Sequence, residues 1–238
     1  MQTAAADSGD SQVKVVGSFG SAAALRDTSA REVLDACDIA EVRLDLLLSA
    51  GVSPDRSRWR HLDGVPLLFT ARRGGEGGAG DLDAHRREKL LLDALDDAAW
   101  IDIEVASIPD MRGLLRELEN RRLPWIASFH DFRKLPSTAD LRHAAQAARD
   151  AGAAIFKAAA MTPAPEDLAR LANFQLADHG LPVATMGMGP LAPSSRLLCA
   201  QCGSALNYGY LGAAPTAPGQ WPAALLKLAI SSCRQPPA

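Results

Sequence analysis

Residues 123–161 read LPWIASFHDFRKLPSTADLRHAAQAARDAGAAIFKAAAM. Two short apolar runs, LPWIASFH (123–130) and AAIFKAAA (153–160), flank an amphipathic stretch whose spacing predicts a helix over 137–151. Strand, helix, strand in that order is the sequence form of two parallel strands joined by a crossover helix. Each apolar run also carries one ionisable side chain, His130 in the first and Lys157 in the second.

The same alternation extends in both directions. Upstream, VKVVGSF (13–19), DIAEVRLDL (38–46), VPLLFTA (65–71) and WIDIEV (100–105) read as strands. Between and after them, 22–36, a short piece ending near His61, 82–98 and 109–121 read as helical. Downstream, helix 165–178, strand LPVATM (181–186), helix 193–202, strand ALNYGY (205–210) and helix 219–232 follow. Eight strand–helix units in roughly 220 residues fit a (β/α)8 TIM barrel. The barrel is expected to be a single domain over 13–232. An open, doubly wound sheet has no support, because no G-x-G-x-x-G follows the first strand.

With 47% hydrophobic and 22% charged residues in 238, the chain has the composition of a folded protein rather than a disordered one. A net charge of −3 provides no basic field for nucleic acid or an anionic membrane, so neither is an expected partner. No apolar run approaches the roughly 20 residues that span a bilayer. The N-terminal MQTAAADSGDSQ has neither a basic start nor an apolar core, so no secretory signal is expected. Residues 1–12 and 233–238 are expected to be tails. Four cysteines in a chain of this length suit a reducing cytoplasm. Cys199 and Cys202 form a lone CxxC without a second ligand pair, and read as cysteines packed on a helix face; no metal or cofactor is expected.

A barrel of this kind keeps its active site at the C-terminal ends of its strands. Glu41, Arg43 and Asp45 alternate with apolar residues and would share one face of the second strand, as a functional set or as an internal ion pair. Arg72 continues the third strand, and Glu76 follows in RRGGEGG, whose glycines permit close backbone approach. Asp102 and Glu104 share a face of strand four, as do Ser128 and His130 of strand five. The other histidines, at 61, 85, 143 and 179, lie in polar helical or loop contexts. A buried Lys157 would have a lowered pKa and act as a nucleophile toward a carbonyl; the alternative is a lysine that snorkels to water. Lysine, histidine, arginines and carboxylates together suggest imine chemistry on a small anionic, hydroxylated substrate. Arg196 follows Ser194 and Ser195, and the small-residue loop GAAPTAPGQ (212–220) is placed to close over a ligand.

These stretches resemble the type I 3-dehydroquinate dehydratases, the Schiff-base class of that enzyme. The similarity runs from about Val13 to Ile230 through EVRLDLL, PLLFTARRGGEGG, WIDIEV, IASFHDF, IFKAAAM, PVATMGMGP with SSRL, and GSALNYGYLG with PTAPGQ. The resemblance implies dehydration of 3-dehydroquinate to 3-dehydroshikimate, the third step of the shikimate pathway. It implies that Lys157 forms an imine with the ring ketone and that His130 is the general acid and base, oriented by Glu76. Glu41, Arg43 and Arg72 would bind substrate hydroxyls, and Arg196 the carboxylate. Gln220 would reach in from the lid, Thr216 stands where many members place a serine, and Ser18 is a further contact. A homodimer is the assembly often found in the family. Many members carry an N-terminal β-hairpin under the barrel; the short polar segment before Val13 is expected to lack or replace it. Alternatives are another imine-forming enzyme, such as an aldolase on the same barrel, and a non-catalytic barrel that binds a related metabolite.

Overall fold

A computed structural model describes residues 13–234. The expected N-terminal tail and residues 235–238 lie outside the described residues, while the last helix runs through Cys233 to Arg234. Eight strands alternate with helices. They are β1 (Lys14–Phe19), β2 (Ile39–Arg43), β3 (Leu67–Thr70), β4 (Trp100–Glu104), β5 (Trp125–Asp131), β6 (Ile155–Met161), β7 (Val183–Met188) and β8 (Leu206–Leu211). All neighbouring pairs are parallel, in the order β7-β6-β5-β4-β3-β2-β1-β8. The two outer strands approach each other, and the Ala205 amide donates to the Val183 carbonyl at 2.9 Å across the seam. The architecture is that of a (β/α)8 barrel.

The helices are α1 (Ala22–Asp27), α2 (Ala30–Ala36), α3 (Leu44–Ser49), α4 (Ala84–Asp93), α5 (Arg112–Arg121), α6 (Thr138–Asp150), α7 (Pro165–Leu176), α8 (Ala192–Gln201) and α9 (Ala223–Arg234). Three differ from the sequence expectation for local reasons. The single helix expected over 22–36 divides because Ser29 starts a new one: its hydroxyl accepts from the Glu32 amide while Glu32 accepts from the Ser29 amide, a capping box. The helix expected over 82–98 begins where Asp83 caps it and finishes as a 3-10 turn at Leu95–Asp97. The one expected over 109–121 is preceded by a 3-10 segment, Val105–Asp110, that contains Pro109.

Period-two alternation divides the strand residues between two cores. Outward-facing Val15, Val42, Phe69, Ile103 and Phe156 pack against helix residues such as Leu91, Leu118, Leu171 and Phe174. Inward-facing Val16, Ile39, Leu68, Ile126, Ile155 and Leu206 fill the interior toward the N-terminal ends of the strands. Above this apolar layer the interior becomes polar. Ser18, Glu41, Thr70, Asp102, Ser128 and Lys157 are all buried there. Each lies two residues beyond an inward-facing apolar residue of its own strand, so together they form the next layer toward the open C-terminal end of the barrel.

Candidate active site

Lys157 lies midway along β6, beside Ser128 of β5 in register. Its side chain is 5% exposed, so it does not snorkel to solvent. The ammonium donates to Asp102 Oδ2 at 3.1 Å and sits 4.1 Å from the centroid of the Tyr208 ring. Burial holds its pKa below that of a free lysine, against the opposing pull of the Asp102 charge. A larger share of neutral amine is thus available at neutral pH than an exposed lysine offers.

Asp102 serves two cations. Oδ1 accepts from Arg72 Nη1 at 2.8 Å and from Ser128 Oγ at 2.5 Å, while Oδ2 accepts from Lys157. Burial alone would raise its pKa, but the adjacent Arg72 and Lys157 outweigh burial and hold it low, so it is ionised. Arg72 also donates to Glu104 Oε1 at 3.1 Å. Glu104 in turn accepts from Arg87 Nη1 at 2.8 Å, Ser107 Oγ at 2.9 Å and the Arg73 amide at 3.0 Å. The carboxylates of β4 thereby fix Arg72, and Arg87 anchors Glu104 from α4.

His130 ends β5. Its backbone amide and its ring Nδ1 both contact Glu76 Oε2, at 2.9 Å and 3.1 Å. With the carboxylate accepting at Nδ1, the ring proton is assigned there and Nε2 is the basic nitrogen. Burial, then the positive charges of Arg72 and Lys157, hold the His130 pKa well below its usual value. Burial and the neighbouring Glu104 charge push Glu76 up to about 7. The glycine-rich loop brings Glu76 here by folding back on β3. A Cβ on Gly78 would stand 2.1 Å from the Arg72 carbonyl oxygen, a separation only glycine permits.

The expected set on strand two is rearranged. The strand stops at Arg43, and Asp45 lies in the first turn of α3. Arg43 nevertheless reaches Asp45 through two hydrogen bonds, 2.9 and 2.7 Å, and donates to the Gly77 carbonyl at 3.1 Å. It therefore braces the glycine-rich loop and does not line the central cavity. Glu41 does line it, held by Ser18 Oγ and by Thr70 Oγ1 at 2.8 Å.

That cavity joins Ser18, Glu41, Arg72, His130 and Lys157 to Arg196, Thr216 and Gln220. Met186, Met188, Phe132 and Tyr208 complete its walls. Arg196 is 1% exposed and projects from α8. Its Nη1 donates to the Tyr208 carbonyl at 2.7 Å, its Nε has no hydrogen-bond partner, and no carboxylate pairs with it among the described residues. Burial without a counter-ion lowers its pKa to about 10. On the 212–220 loop, Gln220 Oε1 accepts from the Thr216 amide at 2.9 Å and its hydroxyl at 2.8 Å. The loop docks on the end of β7: the Gly189 amide donates to Pro218 at 3.0 Å, and a Cβ on Gly219 would lie 2.2 Å from the Gly189 carbonyl oxygen.

Residues 20–235 match the profile of the family described as Type I 3-dehydroquinase. The chain belongs to that family. It is accordingly an enzyme, a lyase with the family's barrel. Among relatives, it is 34% identical over 206 residues to the 3-dehydroquinate dehydratase of Methanothrix thermoacetophila, covering 87% of this chain and 85% of that protein. It is 33% identical over 215 residues to the enzyme of the same name from Haloquadratum walsbyi, covering 85% and 87%. Among solved structures, the 3-dehydroquinate dehydratase of Enterococcus faecalis superposes with a TM-score of 0.75 at 25% identity, covering 94% of this chain and 95% of that one.

Several site residues were not singled out from the sequence. Tyr208 and Met186 follow the inward alternation of β8 and β7, and that periodicity would have found them. Arg87 had no such cue, since it is one of several basic residues in AHRREK. The lone CxxC carries no metal ligands beyond itself: Cys199 is buried, Cys202 half-buried, and both are free. No cluster of three metal-binding side chains occurs among the described residues, and none of their helices is long and apolar enough to cross a membrane.

Proposed function

We propose that this enzyme dehydrates 3-dehydroquinate to 3-dehydroshikimate through an imine on Lys157, with His130 as general acid and base. The observation that carries the reading is a buried amine of lowered pKa sharing one cavity with a histidine that is itself oriented by a carboxylate.

The order of events follows from the geometry. The carboxylate of the substrate meets Arg196, the buried cation that lacks a counter-ion. The ring ketone is then presented to the Lys157 amine, which adds and loses water to give a protonated imine. The imine withdraws electrons and acidifies the neighbouring C–H. His130 Nε2, basic because Nδ1–H is held by Glu76, takes that proton. The carbon–oxygen bond of the departing hydroxyl breaks as the electron pair forms the ring double bond. His130, now protonated, returns its proton to the leaving oxygen. Water then hydrolyses the imine and frees Lys157. Asp102 and Arg72 keep the amine in place throughout, and Thr216 and Gln220 close the cavity from the lid. Glu41 and Arg72 bind substrate hydroxyls in this reading, and Ser18, which donates to Glu41 and also lines the cavity, is a further contact.

The test is to mix the protein with 3-dehydroquinate and borohydride and to locate the reduced adduct by mass spectrometry. An adduct on Lys157, together with ultraviolet absorbance from the enone product, is expected. Enone formation without any adduct on Lys157 would refute the imine.

A further inference from the structure

Tyr208 lies on β8 with its ring inside the barrel, 3% exposed. Two of its groups already have tasks. The carbonyl accepts from Arg196, and the ring face lies under the Lys157 ammonium. The phenolic hydroxyl is different: it is buried on a residue that lines the catalytic cavity, and it has no hydrogen-bond partner among the described residues. An unpaired hydroxyl inside a protein is destabilising, and phenylalanine would fill the same space without that cost. A donor retained at such a place is one whose partner arrives with the ligand.

We propose that the Tyr208 hydroxyl is a further catalytic contact, donating a hydrogen bond to the ketone oxygen of the substrate while Lys157 adds to the carbonyl carbon. This rests on the imine reading of Lys157. As the nitrogen lone pair forms the N–C bond, the C=O π pair moves onto oxygen, and the phenol's hydrogen bond stabilises the charge that develops there. Counted from the Lys157 ammonium, two protons pass from nitrogen to that oxygen by way of His130. The oxygen leaves as water, and the iminium keeps the positive charge. The same contact serves in reverse, when water adds to the imine. Burial, then the negative charges of Glu41 and Asp102, raises the phenol pKa well above its usual value and keeps it a donor.

Tyr208→Phe removes the hydroxyl and keeps the ring. Wild type and variant are mixed with 3-dehydroquinate, quenched with borohydride at intervals, and the Lys157 adduct is quantified by mass spectrometry. The variant is expected to form the adduct about 10²-fold more slowly, the effect of losing one donor to a developing oxyanion. Its melting temperature is expected to equal or exceed that of the wild type. Adduct formation at the wild-type rate would overturn the proposal and leave the imine intact. So would a slower rate accompanied by a fall in melting temperature, which marks a structural role. No adduct on wild-type Lys157 would remove the imine, and this contact with it.

Discussion

Two arginines face the same cavity in opposite electrostatic settings. Arg72, expected to continue the third strand, lies two residues beyond the end of β3; it is enclosed by Asp102 and Glu104, with Ser128 at 2.6 Å. Arg196, from α8 beside β7 and β8, has a backbone carbonyl and a methionine sulfur as its hydrogen-bond acceptors. Both are almost completely buried. Carboxylates make Arg72 harder to deprotonate, whereas burial makes Arg196 easier. The difference separates machinery from receptor. A cation whose partners are built in positions other groups, while a buried cation without one is held ready for an anion that the protein does not contain. On the proposed reading the β3–β6 side of the barrel, together with Tyr208 of β8, is the reacting half, and Arg196 on the α8 side is the receptor for the substrate's charge.

The hardest way to break that division is to remove the amine. Lys157→Ala is expected to reduce turnover to background and to abolish the borohydride adduct, while Asp102 keeps its contacts with Arg72 and Ser128 and the fold persists. Retained turnover in this variant would place the chemistry elsewhere. The arginines themselves come next. Arg72→Met leaves Asp102 and Glu104 short of a buried counter-ion and is expected to cost about 3–5 kcal/mol in urea unfolding. Arg196→Met removes a buried charge that had no carboxylate, and is expected to change stability by less than about 1 kcal/mol while losing substrate binding. Equal destabilisation by the two would mean that Arg196 is structural after all.

Much of this contrast was legible in the sequence, for a physical reason. Inside a barrel strand, period two and an apolar background leave ionisable residues conspicuous, as with His130 after WIASF and Lys157 inside AAIFKAAA. Eight such runs made the fold readable as well. What could not be read was pairing across the barrel. That Asp102 joins Arg72 to Lys157 depends on strand register, and that Arg43 turns toward Asp45 depends on β2 ending at Arg43. Arg87 was invisible because a helical arginine is ordinarily solvated; only the packing of α4 against the end of β4 buries it on Glu104. The divided helix at 22–36 shows the same limit at short range. Its hydrophobic spacing suits one helix, but the Ser29 cap decides for two.

Within the reacting half, Glu76 sharpens the picture through pH. Its carboxyl is raised to about 7 in the fold, by burial and by Glu104, from an ordinary value of 4.5. The folded state therefore prefers the protonated form. Below pH 4.5 the group is neutral in both states; from 4.5 to about 7 the unfolded chain releases the proton and the folded one keeps it, so this residue's contribution to stability falls as pH rises through that window. Ionisation is what lets Glu76 accept from both His130 N–H groups, so kcat/KM is expected to rise along an acid limb near pH 7. In Glu76→Gln that limb should vanish, and turnover should drop by about 10²-fold, the lower end of the usual range for general acid–base catalysis. An unchanged limb would assign the titration to another group.

The mildest change tests the receptor half alone. Arg196→Lys keeps a positive charge on α8 but replaces a planar, two-pronged donor with a point charge on a shorter reach. If the partner of Arg196 is a carboxylate, the loss is one of fork geometry and not of charge. KM is then expected to rise about tenfold with kcat nearly unchanged, since the amine and His130 are untouched; a loss confined to binding leaves the chemical step alone. Lysine also sheds its charge on burial more readily than arginine, so the KM penalty should deepen toward high pH in the variant and not in the wild type. A fall in kcat with KM constant would mean that Arg196 acts in the transition state. The boundary between the two halves would then run through α8 and not beside it.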